Sequence, residues 1–92
     1  MNPVVQAIIR IIKEQRDIIG PIALDQARKV SGIQITSIDD IKISGNGKAV
    51  LEGLVKQYEK LFGQASVEVC KEAIEPLYDK LPVAEIPDIL KN

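Results

Sequence analysis

The chain has 92 residues, of which 46% are hydrophobic and 27% are charged, and its formal net charge is −1. This length and composition predict one globular domain rather than a disordered segment, and the near-neutral charge argues against a general attraction to nucleic acid or anionic lipid. The sequence has no histidine and one cysteine, which excludes the commonest general base, a Cys/His zinc cluster and an internal disulfide.

A first helix is predicted to begin at Asn2-Pro3, because Asn is a favourable N-cap and Pro is favourable in the first helical turn. The residues that follow are rich in isoleucine, which also favours strands, but the charged block at 13–17 favours a helix. The apolar surface of this helix is wider than a single core-facing stripe requires. We therefore expect the helix to be either central to the fold or shared with a second chain.

The excess apolar surface predicts a homodimer, since soluble monomers rarely expose large apolar patches and two-fold dimers are the commonest oligomers. The alternative is a central helix that the other helices surround and bury. The candidate interface residues lie close to one helical stripe: Val5, Ile9, Ile12 and Ile19.

Glycine marks the middle of two similar segments. Gly20, followed by Pro21, predicts a helix break before a second helix at 22–31, which Gly32 ends. A shift of 43 residues places this segment, 11–31, on residues 54–74 and places Gly20 on Gly63. Because no proline follows Gly63, the second copy is predicted to be a kinked helix where the first is broken.

Residues 33–43 are ambiguous. The stretch IQIT at 33–36 alternates like a strand, but one short strand has no obvious mate. Ser37 can instead cap a short helix that carries Asp39 and Asp40 in its first turn, where the helix dipole favours acids. The prediction is a loop with one helical turn.

A connector is predicted at 44–47, where Asn46 or Ser44 caps the next helix. The spacing of apolar residues then predicts a clean amphipathic helix, through Leu51, Leu54, Val55, Tyr58, Leu61 and Phe62. The same face continues past Gly63 to Cys70, and Pro82 and Pro87 bracket a short C-terminal turn.

The predicted fold class is all-α, a small helical bundle of two helix-Gly-helix units that form a pseudo-repeat, with a short C-terminal helical turn. Residues 1–92 form a single domain. Unit one is expected at about 3–32, the connector at 33–47, unit two at about 48–81 and the tail at 82–92.

No catalytic, cofactor-binding or metal-ligating residues are predicted. Cys70 lies on the apolar face of its helix, which favours a small core residue over a nucleophile. The stretch SGNGK at 44–48 fails as a phosphate loop, because Lys42 and Ala49 occupy the positions that need Gly and Ser or Thr. A calcium loop counted from Asp40 fails as well, since lysines occupy two ligand positions.

A helix-turn-helix pattern fits residues 27–38 loosely, with an Ala-to-Gly spacing one residue too long. Its recognition helix would carry Asp39 and Asp40 towards phosphates, which is repulsive. Nucleic acid is therefore an unlikely partner, and weak nucleic-acid binding is the alternative function. It would use three basic residues: Arg10, Arg28 and Lys29.

The sequence shows no signal peptide and no apolar run near the roughly 20 residues that a membrane span requires. The expectation is a soluble cytoplasmic protein, and a single cysteine suits that reducing compartment.

The step IIGPIA at 18–23, followed by a basic helix, resembles a small helical domain of unknown function in bacteria, which is often appended to signalling proteins such as serine/threonine kinases and cyclases. The resemblance covers residues 11–30 and reaches 54–74 through the repeat. It implies an accessory, protein-contacting role without catalytic residues. The function expected is a non-catalytic protein–protein interaction or regulatory module, homodimeric and without cofactors.

Overall fold

The computed structural model describes residues 2–91, and helices form most of this part of the chain. A two-stranded antiparallel sheet lies between the second and third α-helices. The elements in chain order are α1 (Pro3–Ile19), α2 (Ile22–Ala27), β1 (Ile33–Ser37), β2 (Asp40–Ile43), α3 (Gly47–Phe62) and α4 (Gln64–Ile74). Three 3-10 helical turns follow at Glu75–Lys80, Val83–Glu85 and Asp88–Leu90.

Asparagine caps both long helices, as predicted. The Asn2 side-chain oxygen accepts a hydrogen bond of 2.8 Å from the backbone N–H of Val4, at the start of α1. The Asn46 oxygen accepts one of 3.0 Å from the N–H of Ala49, in the first turn of α3. Each cap satisfies an N–H group that has no partner within the helix.

The two glycine breaks have the same backbone geometry. Gly20 has φ 75° and ψ −157°, and Gly63 has φ 77° and ψ −164°. The Gly20 N–H donates to the Arg16 carbonyl at 2.9 Å, and the Gly63 N–H donates to the Glu59 carbonyl at 2.8 Å. The predicted kink at Gly63 is therefore wrong: the chain breaks there as fully as at Gly20. Glycine reaches this conformation by itself, so a following proline is not needed.

A β-hairpin replaces the predicted loop and helical turn at 33–43, so that prediction was wrong. Ile33 pairs with Ile43, and Ile35 pairs with Ile41. The missing mate of the first strand was the I-x-I pattern eight residues later in the same stretch. These cross-strand isoleucine pairs stabilise the hairpin. The base is closed by a hydrogen bond of 2.9 Å from the Ser44 N–H to the Gly32 carbonyl. The protein is mostly helical, but it is not all-α.

Helix α1 is central. It packs against α2, α3, α4, β2 and the Glu75–Lys80 turn. Ile8, Ile11 and Ile12 are completely buried. Most of the wide apolar surface of α1 is therefore buried within the chain. This is the central-helix arrangement, which the sequence analysis gave as the alternative to a homodimer.

The C-terminal turns complete the core. Ile86 and Leu90 are buried, and the turns that carry them lie against α3 and α4. The tail predicted at 82–92 thus packs on the helices over the part that the structure describes. No helix in residues 2–91 is long and apolar enough to cross a membrane.

Because Gly20 and Gly63 have the same backbone geometry, we predict that a side chain added at either position destabilises the protein to a similar degree. Gly20→Ala and Gly63→Ala meet no steric obstacle, since nothing lies within 4 Å of an added Cβ, but both force alanine into a region of φ and ψ that is essentially restricted to glycine. Each should lower the free energy of unfolding by about 1–3 kcal/mol in urea titrations. The neighbouring control Gln64→Ala, on an exposed helical position, should change it by less than about 0.5 kcal/mol. A glycine variant as stable as the control would contradict this account of the breaks.

Candidate interaction surface

Two buried side chains join the two halves of the chain. The Gln15 side-chain amide on α1 donates to the Ser66 carbonyl of α4 at 3.0 Å, and the Tyr58 hydroxyl on α3 donates to the Ala23 carbonyl of α2 at 2.6 Å. A shift of 43 residues relates 15 to 58 and 23 to 66. Each first helix therefore binds the second helix of the other half in the same way.

A second pair of contacts has the same relation. The Arg10 guanidinium donates from Nε to the Ala73 carbonyl at 2.7 Å, near the C-terminal end of α4 where the helix dipole favours a cation. A Cβ added to Gly53 on α3 would lie 3.2 Å from Cγ1 of Val30, just after α2. The shift of 43 residues relates 10 to 53 and 30 to 73. Both helix pairs are antiparallel: the residue number increases along one helix as the number of its contact residue on the other helix decreases.

Cys70 belongs to this buried centre and not to a reactive site. Its Sγ lies 3.4 Å from the Gln15 amide nitrogen, and its side chain is fully buried. Burial raises the pKa of the Cys70 thiol to about 11, against a smaller lowering by the Gln15 hydrogen bond. Burial also raises the pKa of Tyr58, with a further contribution from the charge of Cys70. Both groups stay protonated at neutral pH, so the thiol lacks the thiolate form that nucleophilic chemistry needs. The predicted core position of Cys70 is confirmed.

The four residues of the predicted dimer interface lie mostly inside the chain. Ile12 is completely buried, so a second chain has no access to it. Val5, Ile9 and Ile19 are half-buried and pack against the core. Ile9 also lines a shallow pocket of about 380 Å³ between α1 and the hairpin. At the hairpin tip, Asp39 forms an exposed ion pair of 3.2 Å with Lys13 of α1.

The basic residues of the nucleic-acid alternative lie on different elements. Arg10 is occupied by α4, whereas Arg28 and Lys29 follow α2, and Arg28 lies 3.6 Å from Asp25. The segment proposed as a recognition helix is the β-hairpin, so no helix-turn-helix is present in residues 27–43.

The large apolar side chains that remain exposed are concentrated at the glycine breaks. Four of the five such residues in the described chain flank Gly20 or Gly63, with exposures of 63%, 42%, 45% and 39%. They are Ile18, Ile22, Leu61 and Phe62, and we call this set the corner patch. The fifth, Val83, lies in the C-terminal turns.

The two breaks lie at the same end of the molecule. Positions 10 and 15 of α1 meet 73 and 66 of α4, so one further turn of α1 brings Ile18 alongside Gly63. The corresponding register between α3 and α2 brings Leu61 alongside Gly20. The residues of the corner patch therefore lie towards the same end of the helices, and both halves of the chain contribute to them.

Sequence reasoning missed this surface. The helical spacing placed Leu61 and Phe62 on the core face of α3, and it gave no sign that these side chains and Ile18 are exposed at the helix ends. A usable signal was present in the shift of 43 residues, which places Ile18 on Leu61 and therefore gives both breaks the same apolar flank.

A groove of about 610 Å³ lies at the start of α3, between the residues after α2 and the connector at 44–46. Lys29 and Gln57 contribute to its lining. The Asn46 side chain already occupies the Ala49 N–H that an anion would use at this helix start. In residues 2–91 no group of three or more His, Cys, Asp or Glu side chains is placed to hold a metal ion.

Comparison with protein-family models, with curated proteins and with solved structures gives no match to this chain. The resemblance of residues 18–23 to a helical domain of bacterial signalling proteins therefore stays a prediction.

We predict that burial of the Cys70 thiol makes the protein less stable at alkaline pH. The unfolded thiol titrates near pH ~8.5, below the folded value of about 11, so the unfolded chain releases the proton first. The contribution of Cys70 to stability is complete below pH ~8.5 and is lost as the pH rises towards about 11. Urea titrations should show about 2 kcal/mol of this loss between pH ~8 and ~10.5. Cys70→Ala should remove that part of the pH dependence and leave the part due to Tyr58. An unchanged pH dependence in Cys70→Ala would contradict the assignment.

Proposed function

We propose that the chain is a non-catalytic protein–protein interaction or regulatory module, acting in the cytoplasm, whose docking surface is the corner patch. The observation that carries the proposal is the concentration of exposed large apolar side chains beside the two glycine breaks. The largest apolar patch on a soluble protein often serves as a binding surface, because covering it removes apolar area from water.

We further propose that the domain is an internal duplication of a helix-Gly-helix unit. Support comes from the matching hydrogen bonds of Gln15 and Tyr58 and from the equal geometry of Gly20 and Gly63. Arg10 beside Ala73 and Gly53 beside Val30 also occupy matching positions. The β-hairpin follows unit one only, and the 3-10 turns follow unit two only. The duplication places one matched apolar side chain, Ile18 or Leu61, on the exposed surface before each glycine break.

The burial of the reactive side chains supports a role without catalysis. Cys70 and Tyr58 are held protonated in the core, and the Gln15 amide is occupied by hydrogen bonds. The resemblance of residues 18–23 to an accessory domain of signalling proteins fits the same role.

A site-specific photo-cross-linker tests the docking surface in the cells that make the protein. Benzoylphenylalanine at Phe62 should capture a discrete protein adduct, because this side chain lies within the corner patch. The matched control is Gln34, which is exposed on the hairpin away from the glycine breaks and should give no discrete adduct. No adduct from position 62, or the same adducts from both positions, would contradict the proposed function.

A further inference from the structure

We infer that the shallow pocket between α1, the hairpin tip and the Glu75–Lys80 turn binds a small aliphatic carboxylate, which Arg10 recognises. Its volume of about 380 Å³ is near the lower end of the roughly 300–1,000 Å³ that is typical of small-molecule sites. The residues that line it are Gln6, Ile9, Arg10, Asp39 and Leu77. The inference goes beyond the proposed function, because none of these residues belongs to the corner patch.

The guanidinium of Arg10 is fixed in place but only partly used. Its Nε donates to the Ala73 carbonyl at 2.7 Å, and this bond leaves the four N–H donors of the two Nη groups. Within residues 2–91, Arg10 makes no ion pair and no other side-chain hydrogen bond. No side-chain nitrogen or oxygen in this part of the chain is both buried and without a partner, so the Nη groups are open to solvent. The protein therefore orients a cation and leaves accessible the donors that bind a carboxylate.

The charges around the pocket leave Arg10 without a counter-ion. Asp39 also lines the pocket, but it forms an ion pair of 3.2 Å with Lys13. These two charges cancel, whereas the charge of Arg10 is opposed only by the partial negative charge at the C-terminal end of α4. A carboxylate supplies the missing counter-ion and accepts two parallel hydrogen bonds from a guanidinium.

The apolar walls of the pocket decide which kind of anion fits. Ile9 is half-buried and Leu77 is buried, so the pocket has an apolar lining beside the cation. An alkyl chain laid against these side chains removes apolar area from water, which phosphate or acetate cannot do. A ligand such as hexanoate, with about eight non-hydrogen atoms, should therefore bind with a dissociation constant of about 1 mM.

A chemical-shift titration of the isotope-labelled full chain with hexanoate at neutral pH, up to about 20 mM, tests the inference. The backbone amide signals of Ile9, Arg10 and Leu77 should shift saturably, with half-saturation at about 1 mM. Hexanol keeps the alkyl chain without the charge, and acetate keeps the charge without the chain. Each should bind about tenfold or more weakly than hexanoate.

Two arginine variants separate recognition by Arg10 from a general attraction of anions to cations. Arg10→Gln should weaken hexanoate binding by about tenfold, because it removes the charge and the paired donors. The matched control Arg16→Gln removes an exposed cation from the same helix, outside the pocket, and should change binding by less than about twofold. If Arg10→Gln does not fold, the comparison of hexanoate with hexanol on the wild type decides the question.

Three results would overturn the inference. Absence of saturable shifts at about 20 mM hexanoate shows that the pocket does not bind an aliphatic carboxylate. Equal binding of hexanol and hexanoate, or of hexanoate to a folded Arg10→Gln variant and to the wild type, shows that Arg10 does not recognise the anion. Shifts centred on the two glycine breaks place the ligand on the corner patch instead.

Discussion

The fold depends on the exchange of side-chain hydrogen bonds between its two halves. Gln15 on α1 reaches the backbone of α4, and Tyr58 on α3 reaches the backbone of α2. With 6 and 11 residues, α2 and α4 are too short to be stable helices in isolation. Each second helix packs against the first helix of both halves, so the two halves share one core.

This exchange also determines where the surface is apolar. An antiparallel register that places 15 next to 66 leaves the last turn of α1 only partly covered, so Ile19 packs against the core and Ile18 is exposed. Leu61 and Phe62 in the last turn of α3 are also exposed. Glycine then turns the chain back at φ near 75°, which leaves Ile18 and Phe62 outside the packed centre. The breaks that allow the halves to interlock thus create the corner patch. In the proposed function, the cost of exposing this surface is offset by a partner.

The local features of the fold could be predicted from sequence because short-range physics determines them. Asn2 and Asn46 cap helices, and Gly20 and Gly63 interrupt them, through the preferences of individual residues. The burial of Cys70 followed from helical spacing, which is also short-range. These features needed no knowledge of how the helices pack.

The remaining features depend on tertiary packing. The hairpin was not predicted because the strand formed by Ile33 and Ile35 depends on pairing with a second strand, at Ile41 and Ile43, and the pattern of either strand alone is too short to indicate it. The apolar width of α1 was compatible with a central helix and with a dimer, and only its neighbours distinguish the two. Periodicity placed Phe62 on the core face of α3, but a side chain at a helix end is buried only where another element covers it.

Native-state hydrogen exchange of the backbone amides tests the central claim, the interdependence of the two halves, most directly. The buried centres of α1 and α3, around Ile11 and Leu54, are completely enclosed in one core. The amides there should exchange only through global unfolding, with the same free energy and the same dependence on denaturant. If residues 3–32 and 47–74 exchanged with clearly different free energies, the halves would unfold separately, and the claim that each holds the other would be wrong.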